Sequence, residues 1–269
     1  MRTTRSRART PIAVLIPAVI AGVFFTLPLI GLATRIPWSR LGELATASAA
    51  TEALRISLVT SVAATAIATA FGLPLAWVLA RTRFPGRWLL RAICTLSMVL
   101  PPVVGGVALL AALGRRGLVG TLLDEWFGVR LPFTMPAVVI AQVFVAMPFL
   151  VLTVESALVA LNPTTEESAR TLGASPWYLL TRVTIPLIRP AIVSGMVLTW
   201  ARALGEFGAT ITFAGNFPGT TRTLPIATYL ALESDIDMAL LMSLILVVVS
   251  LTVLVSMRQR WTGALGDPR

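Results

Sequence analysis

Long apolar runs and short polar segments alternate along the whole of this chain. Six apolar stretches, roughly residues 11–34, 54–80, 88–113, 133–161, 187–213 and 238–257, are each long enough to form a membrane-crossing helix. Such a helix needs about 20 mostly apolar residues. The pattern predicts an all-α membrane protein of six transmembrane helices, a single domain over residues 1–269 with little chain left for a soluble unit. No low-complexity segment or solenoid period interrupts it.

Between the fourth and fifth stretches lies a patterned polar segment, residues 162–186. Asn162-Pro163 and Thr164 open a helix there, with Thr164 and Glu167 at the spacing of a capping box. Leu172-Gly173 closes it, because glycine readily takes the left-handed position after a helix. Ser175-Pro176 then restarts a second helix with a cap residue followed by proline. Pro186 is expected to stop or kink that helix before the next span. A helix, a bend and a helix result, more structure than a plain linker requires.

The composition fits this picture. Apolar residues make up 56% of the chain, too many for a soluble domain of 269 residues. A net charge of +10 raises the possibility of nucleic acid, but the basic residues follow the loops and do not gather with aromatics on one surface. Orientation in a membrane accounts for them. With the N-terminus inside, cytoplasmic segments hold Arg2, Arg5, Arg7, Arg9, Arg81, Arg83, Arg87, Arg91, Arg170, Arg182, Arg189, Arg258, Arg260 and Arg269. The other side holds Arg35, Arg40, Arg115, Arg116, Arg130 and Arg222 beside seven carboxylates. The positive-inside rule therefore places both termini, and the polar segment, in the cytoplasm. The basic start resembles a secretory signal, but the small-residue site Ala45-Thr46-Ala47 lies too far past the apolar run, so residues 11–34 are expected to remain as the first span.

Missing residue types exclude several functions. All 22 basic residues are arginine, so the chain lacks the lysine of a phosphate-binding P-loop and cannot be a conventional P-loop ATPase. Histidine is absent, which removes the usual imidazole base, haem ligand and most zinc sites. The single cysteine, Cys94, sits in an apolar run and can form no internal disulfide. No cofactor or metal site is expected.

Few charges fall within the apolar stretches. Arg202 and Glu206 lie four residues apart in the fifth, close enough to pair on one helix face. A charge facing lipid near the bilayer centre costs about 2.5–3.5 kcal/mol on insertion scales, so both should face protein or a watery interior. Two readings stand: a structural ion pair, or a direct part in a pathway. Ala201, Ala203, Gly205, Gly208 and Ala209 nearby permit close helix approach. In the third stretch, Leu100-Pro101-Pro102-Val103-Val104-Gly105-Gly106 should break the helix, either as a packing kink or to present free amides to an oxyanion. Residues 216–222 form an outer turn that either receives a substrate from a partner or is simply solvated.

The polar segment resembles the EAA loop of ABC importer permeases: Glu167, Ala169, Gly173 and Pro186 match in place, while Ser168, Val183 and Ile185 are conservative departures. Trp200-Ala201-Arg202-Ala203-Leu204-Gly205-Glu206-Phe207-Gly208-Ala209-Thr210 and Thr221-Arg222-Thr223-Leu224-Pro225 resemble the molybdate and sulfate branch, with Phe207 on the molybdate side. The resemblance implies a type I importer permease in the bacterial inner membrane, working as a homodimer. It implies a separate ATPase using ATP and magnesium, an extracytoplasmic molybdate-binding protein, and no nucleic acid partner. Docking on the ATPase would fall to Glu167, Ala169, Gly173, Pro176 and Pro186. The pathway or gate would use Arg202, Gly205, Glu206, Gly208, Thr210, Pro101, Pro102 and Gly105. Tungstate and sulfate remain alternative cargoes.

Two other classes fit less well. A secondary anion transporter should show inverted repeats with coupling carboxylates at mid-membrane. No clear repeat is visible, and Glu155 and Glu206 are the only acids at membrane depth, the latter with an arginine partner that disfavours proton coupling. An integral membrane enzyme needs convergent nucleophile, base or metal ligands, which dispersed carboxylates without histidine do not supply.

Overall fold

The computed structural model describes residues 11–265, with side chains described up to Val255. Arg2, Arg5, Arg7, Arg9, Arg258, Arg260 and Arg269, which carry part of the charge asymmetry, lie outside the described side chains. Helix follows helix: α1 (Ile12–Arg35), α2 (Leu41–Thr46), α3 (Ser48–Arg81), α4 (Arg87–Val99), α5 (Pro102–Leu113), α6 (Gly120–Phe127), α7 (Met135–Ala160), α8 (Pro163–Thr171) and α9 (Pro176–Tyr178). A π-helical turn, Leu179–Thr184, leads into α10 (Ile185–Leu204), followed by α11 (Gly208–Ala214), α12 (Leu224–Ser234) and α13 (Ile236–Leu265). No strand occurs among the described residues.

Five helices among the described residues are long and apolar enough to cross a membrane: α1, α3, α7, the continuous run Pro176–Leu204, and α13. The third expected span is instead two short helices. Leu100 and Pro101 are extended, with ψ of 134° and 132°, so α4 ends and α5 starts afresh. Proline disfavours helical geometry in the residue before it and offers no N–H, and Pro101-Pro102 does both twice. The fifth expected span also differs, ending at Leu204 and leaving α11 as a separate helix.

A stop at Pro186 does not occur. The helix runs unbroken for 29 residues from Pro176 to Leu204. A π turn, with hydrogen bonds one residue longer than in an α-helix, widens the coil where the ring of Pro186 would otherwise crowd the preceding carbonyls. The start of α8 differs as well: Asn162 is the cap, its Oδ1 accepting from the Thr164 amide at 3.1 Å, in place of a Thr164–Glu167 box.

The core forms where α3, α7 and α10 cross. Ala64, Ala146 and Ala203 meet with no exposed surface. In lipid, apolar burial alone gives little drive for helix association, so close backbone approach through small side chains matters more. A second cluster around Leu79, Leu150, Val154, Leu158 and Ile188 continues this core toward α8. At the opposite end Val138, Ala141 and Val145 of α7 pack against Ala209 and Phe213 of α11 and Leu109 of α5. That end is tied by Arg40 to Asp237 at 2.9 Å and by the Leu224 amide to Ser57 Oγ at 2.7 Å. In contrast α1 buries no residue, and its side chains, Phe24 and Phe25 among them, are exposed along its length.

Candidate coupling loop and interior polar site

The loop from Asn162 to Pro186 folds as helix, bend and helix. Gly173 has φ +86°, a conformation that L side chains rarely adopt. Its amide donates to Arg170 O at 2.9 Å, and the Ala174 amide donates to Ala169 O at 3.0 Å, closing the end of α8. Ser175 Oγ then accepts from the Tyr178 amide at 3.2 Å, capping the next helix ahead of Pro176. Glu167, Gly173, Pro176 and Pro186 are exposed and Ala169 is half-buried. Leu172 and Trp177 stand 88% and 73% exposed around the bend, with Tyr178 beside them, so the loop carries an uncovered apolar face on a polar frame. A shallow depression lined by Ala169, Leu172, Ala174 and Tyr178 lies in that face.

Behind this face the loop is anchored by a residue that the motif does not include. Glu166 is buried, and its Oε1 accepts from Arg81 Nη2 at 2.9 Å and from the Thr184 hydroxyl at 3.0 Å. A second bond of the same kind lies deeper. Arg91 of α4 donates from Nε to Glu155 of α7 at 3.0 Å, which pairs one of the two acids of the apolar stretches.

The other acid, Glu206, lies at the far end of α10. Arg202 Nη2 approaches Glu206 Oε2 at 2.7 Å, a close ion pair outside aligned hydrogen-bond geometry, and Glu206 is 1% exposed. Its Oε1 accepts from the Ala209 amide at 2.8 Å and so secures the first turn of α11. Both carboxylate oxygens are therefore engaged within the protein. The break at Gly205, which is exposed, turns the chain so that α11 lies along α5. There a Cβ on Gly208 would sit 2.6 Å from Pro102 Cβ, and one on Gly106 would sit 2.6 Å from Thr212 Cβ. Pro102 and Gly208 thus meet, as do Arg202 and Glu206. Pro101 is exposed, Gly105 is buried against the Phe144 ring, and Thr210 is buried with its hydroxyl unpartnered.

Three polar residues escaped the sequence reading of the site. Glu166 was hidden by its neighbour Glu167, since two adjacent acids look alike until burial separates them. Gln142 of α7 is wholly buried with both amide atoms unpartnered, and Thr199 of α10 has a buried, unpartnered hydroxyl. A glutamine in the apolar run of residues 135–152 was the available signal. No group of three or more metal-ligating side chains occurs among the described residues.

Comparison with known proteins gives the same architecture. A molybdenum transport system permease protein of Mycobacterium tuberculosis is 46% identical over 249 residues, covering 92% of this chain and 93% of that one. A sulfate transport system permease protein of Escherichia coli is 34% identical over 223 residues, covering 82% of this chain and 80% of that one. Among solved structures, a bacterial alginate ABC transporter in complex with an alginate-bound periplasmic protein superposes with a TM-score of 0.76 at 22% identity, covering 93% of this chain and 94% of that one. The model of the binding-protein-dependent transport system inner membrane components matches residues 68–261, a reach that takes in α7, the whole Glu167 loop, the paired charges of α10 and the α11 turn. With that match across most of its length, and a long relative at nearly half identity, this chain belongs to the family of binding-protein-dependent transport system inner membrane components.

Proposed function

We propose that this protein is the transmembrane subunit of an ATP-driven molybdate importer in the bacterial inner membrane. The observation that carries the reading is the exposed apolar face of residues 169–178, held on a capped, glycine-bent loop beside a membrane-spanning core. A chain with no P-loop lysine needs an ATPase to dock somewhere, and this face is its docking site. Glu167, Ala169, Gly173, Pro176 and Pro186 frame the contact. Two copies of the chain form the pathway, with both termini and the coupling loop in the cytoplasm and α4 with α5 crossing as a broken sixth span. An extracytoplasmic binding protein delivers the oxyanion.

The path runs by the break between α10 and α11, where Gly205, Gly208, Thr210, Pro101, Pro102 and Gly105 set the spacing of α5 against α11. Arg202 and Glu206 hold this turn rather than bind cargo, because each oxygen of Glu206 already has a protein partner. Molybdate is favoured over sulfate by Phe207 and by the relatives' match, a molybdenum permease protein at 46% identity over 249 residues against sulfate permease proteins at 41% over 174 and 34% over 223.

The test is reconstitution of the permease with its ATPase and binding protein in proteoliposomes, with calorimetric titration of the binding protein against molybdate, tungstate and sulfate. ATP-dependent molybdate uptake is expected. Uptake that persists without the ATPase would establish a gradient-driven transporter, and tighter binding of sulfate than molybdate would overturn the cargo assignment.

A further inference from the structure

Glu166 is buried although Thr165 and Glu167 on either side are exposed, and it is the only buried residue of α8. Little apolar packing therefore fixes this helix to the membrane body. What holds it is a single carboxylate oxygen on which three elements converge: Glu166 in the first turn of α8, Arg81 at the last residue of α3, and Thr184 at the last residue of the π turn. The bonds measure 2.9 and 3.0 Å, and the paired side chains are 25% and 10% exposed. A pair this sheltered from water differs from a surface ion pair: pulling α8 away from α3 would strand a buried carboxylate, which is strongly unfavourable. The π turn adds to the argument, since such turns within helices occur frequently at functional sites.

We propose that Glu166 is the positioning residue through which movement of the coupling loop reaches the transmembrane helices. α8, the end of α3 and the wide turn ahead of α10 move as one block when the loop is pulled. The inference rests on the ATPase-docking reading above.

The test uses the full transporter, permease with ATPase and binding protein, in proteoliposomes. Two quantities are read: molybdate taken up per ATP hydrolysed, and the fraction of ATPase that co-purifies with the permease. Glu166→Gln keeps the size of the side chain and an acceptor for Thr184 but removes the charge. Co-purification is expected to persist while uptake per ATP falls roughly fivefold or more, the lower range of coupling between sites. Reversing the pair, with Arg81→Glu and Glu166→Arg together, is expected to restore much of the ratio. An unchanged ratio in Glu166→Gln overturns the proposal. Loss of co-purification with a normal ratio in the remaining complex also overturns it, since Glu166 would then act in docking alone. Should Glu166→Gln fail to reach the membrane, Thr184→Val carries the test by removing one bond and leaving the ion pair, and an unchanged ratio there has the same force. A wild-type transporter that imports no molybdate would instead fail the functional reading, so the two failures are distinguishable.

Discussion

Replacing Gly173 by valine tests whether the bend itself makes the docking loop. A Cβ at this position meets no atom within 4 Å, so the substitution creates no clash inside the protein. The backbone alone carries the cost. At φ +86° an L residue pays about 1–2 kcal/mol for left-handed geometry, and a β-branched side chain is the worst placed to accept it. A penalty of that size lowers the population of the bent loop by roughly 5–30-fold, while the transmembrane helices, which do not touch Gly173, remain inserted. The series Gly173→Asn, Gly173→Ala and Gly173→Val separates conformation from contact, because asparagine tolerates the left-handed region far better than valine. The assay is co-purification of the ATPase with the permease from membranes containing equal amounts of each variant. Retention should fall in the order glycine, asparagine, alanine, valine. Valine retaining the ATPase as well as glycine does would refute the reasoning, and asparagine failing as badly as valine would show that contact with the partner, not backbone geometry, is what glycine provides.

Three further predictions follow from the packing. Arg202→Ala should destabilise the permease by about 3–5 kcal/mol by leaving Glu206 buried and unpaired, whereas Arg202→Ala with Glu206→Ala should cost less; thermal unfolding in detergent measures both, and a double variant as unstable as the single one refutes a structural pair. Gly208→Ala should force α11 from α5 at a cost of about 1–3 kcal/mol, since the added methyl meets Pro102 and the Val103 backbone; an unchanged melting temperature would count against that crossing. Ser175→Ala should weaken the second loop helix by about 0.5–2 kcal/mol through loss of its cap, read as faster amide exchange at residues 177–179, Tyr178 above all; exchange equal to wild type would contradict the cap.

The sequence made the loop legible almost residue by residue, because caps, a left-handed glycine and helix-opening prolines are local devices. The break at Pro101-Pro102 and the Arg202–Glu206 pair were legible for the same reason, each lying within one or two helical turns. Of the two outcomes expected at Pro186, a stop or a kink, the stop did not occur, because its effect depends on what the preceding turn can do: a π turn lies where an α-helix would have met the proline ring. Glu166 and the Arg91–Glu155 pair needed the fold, since their partners lie 85 and 64 residues away along the chain. The number of spans was only partly legible, as hydropathy counts apolar residues but not whether α4 and α5 continue one another.

The π turn at residues 179–184 sets a rule about length as well as identity. Each α-helical residue advances the chain by about 100° of rotation, and a π turn holds one residue more than an α turn would use. Losing or gaining one codon in this stretch would leave a helix on both sides yet swing Trp177 and Tyr178 about 100° around its axis relative to α10. Exposed positions such as Arg182 are free to vary in kind without that effect. The segment therefore works as a fixed-length spacer, open to drift in composition at its exposed positions but held at Thr184 by the bond to Glu166 and closed to insertion and deletion.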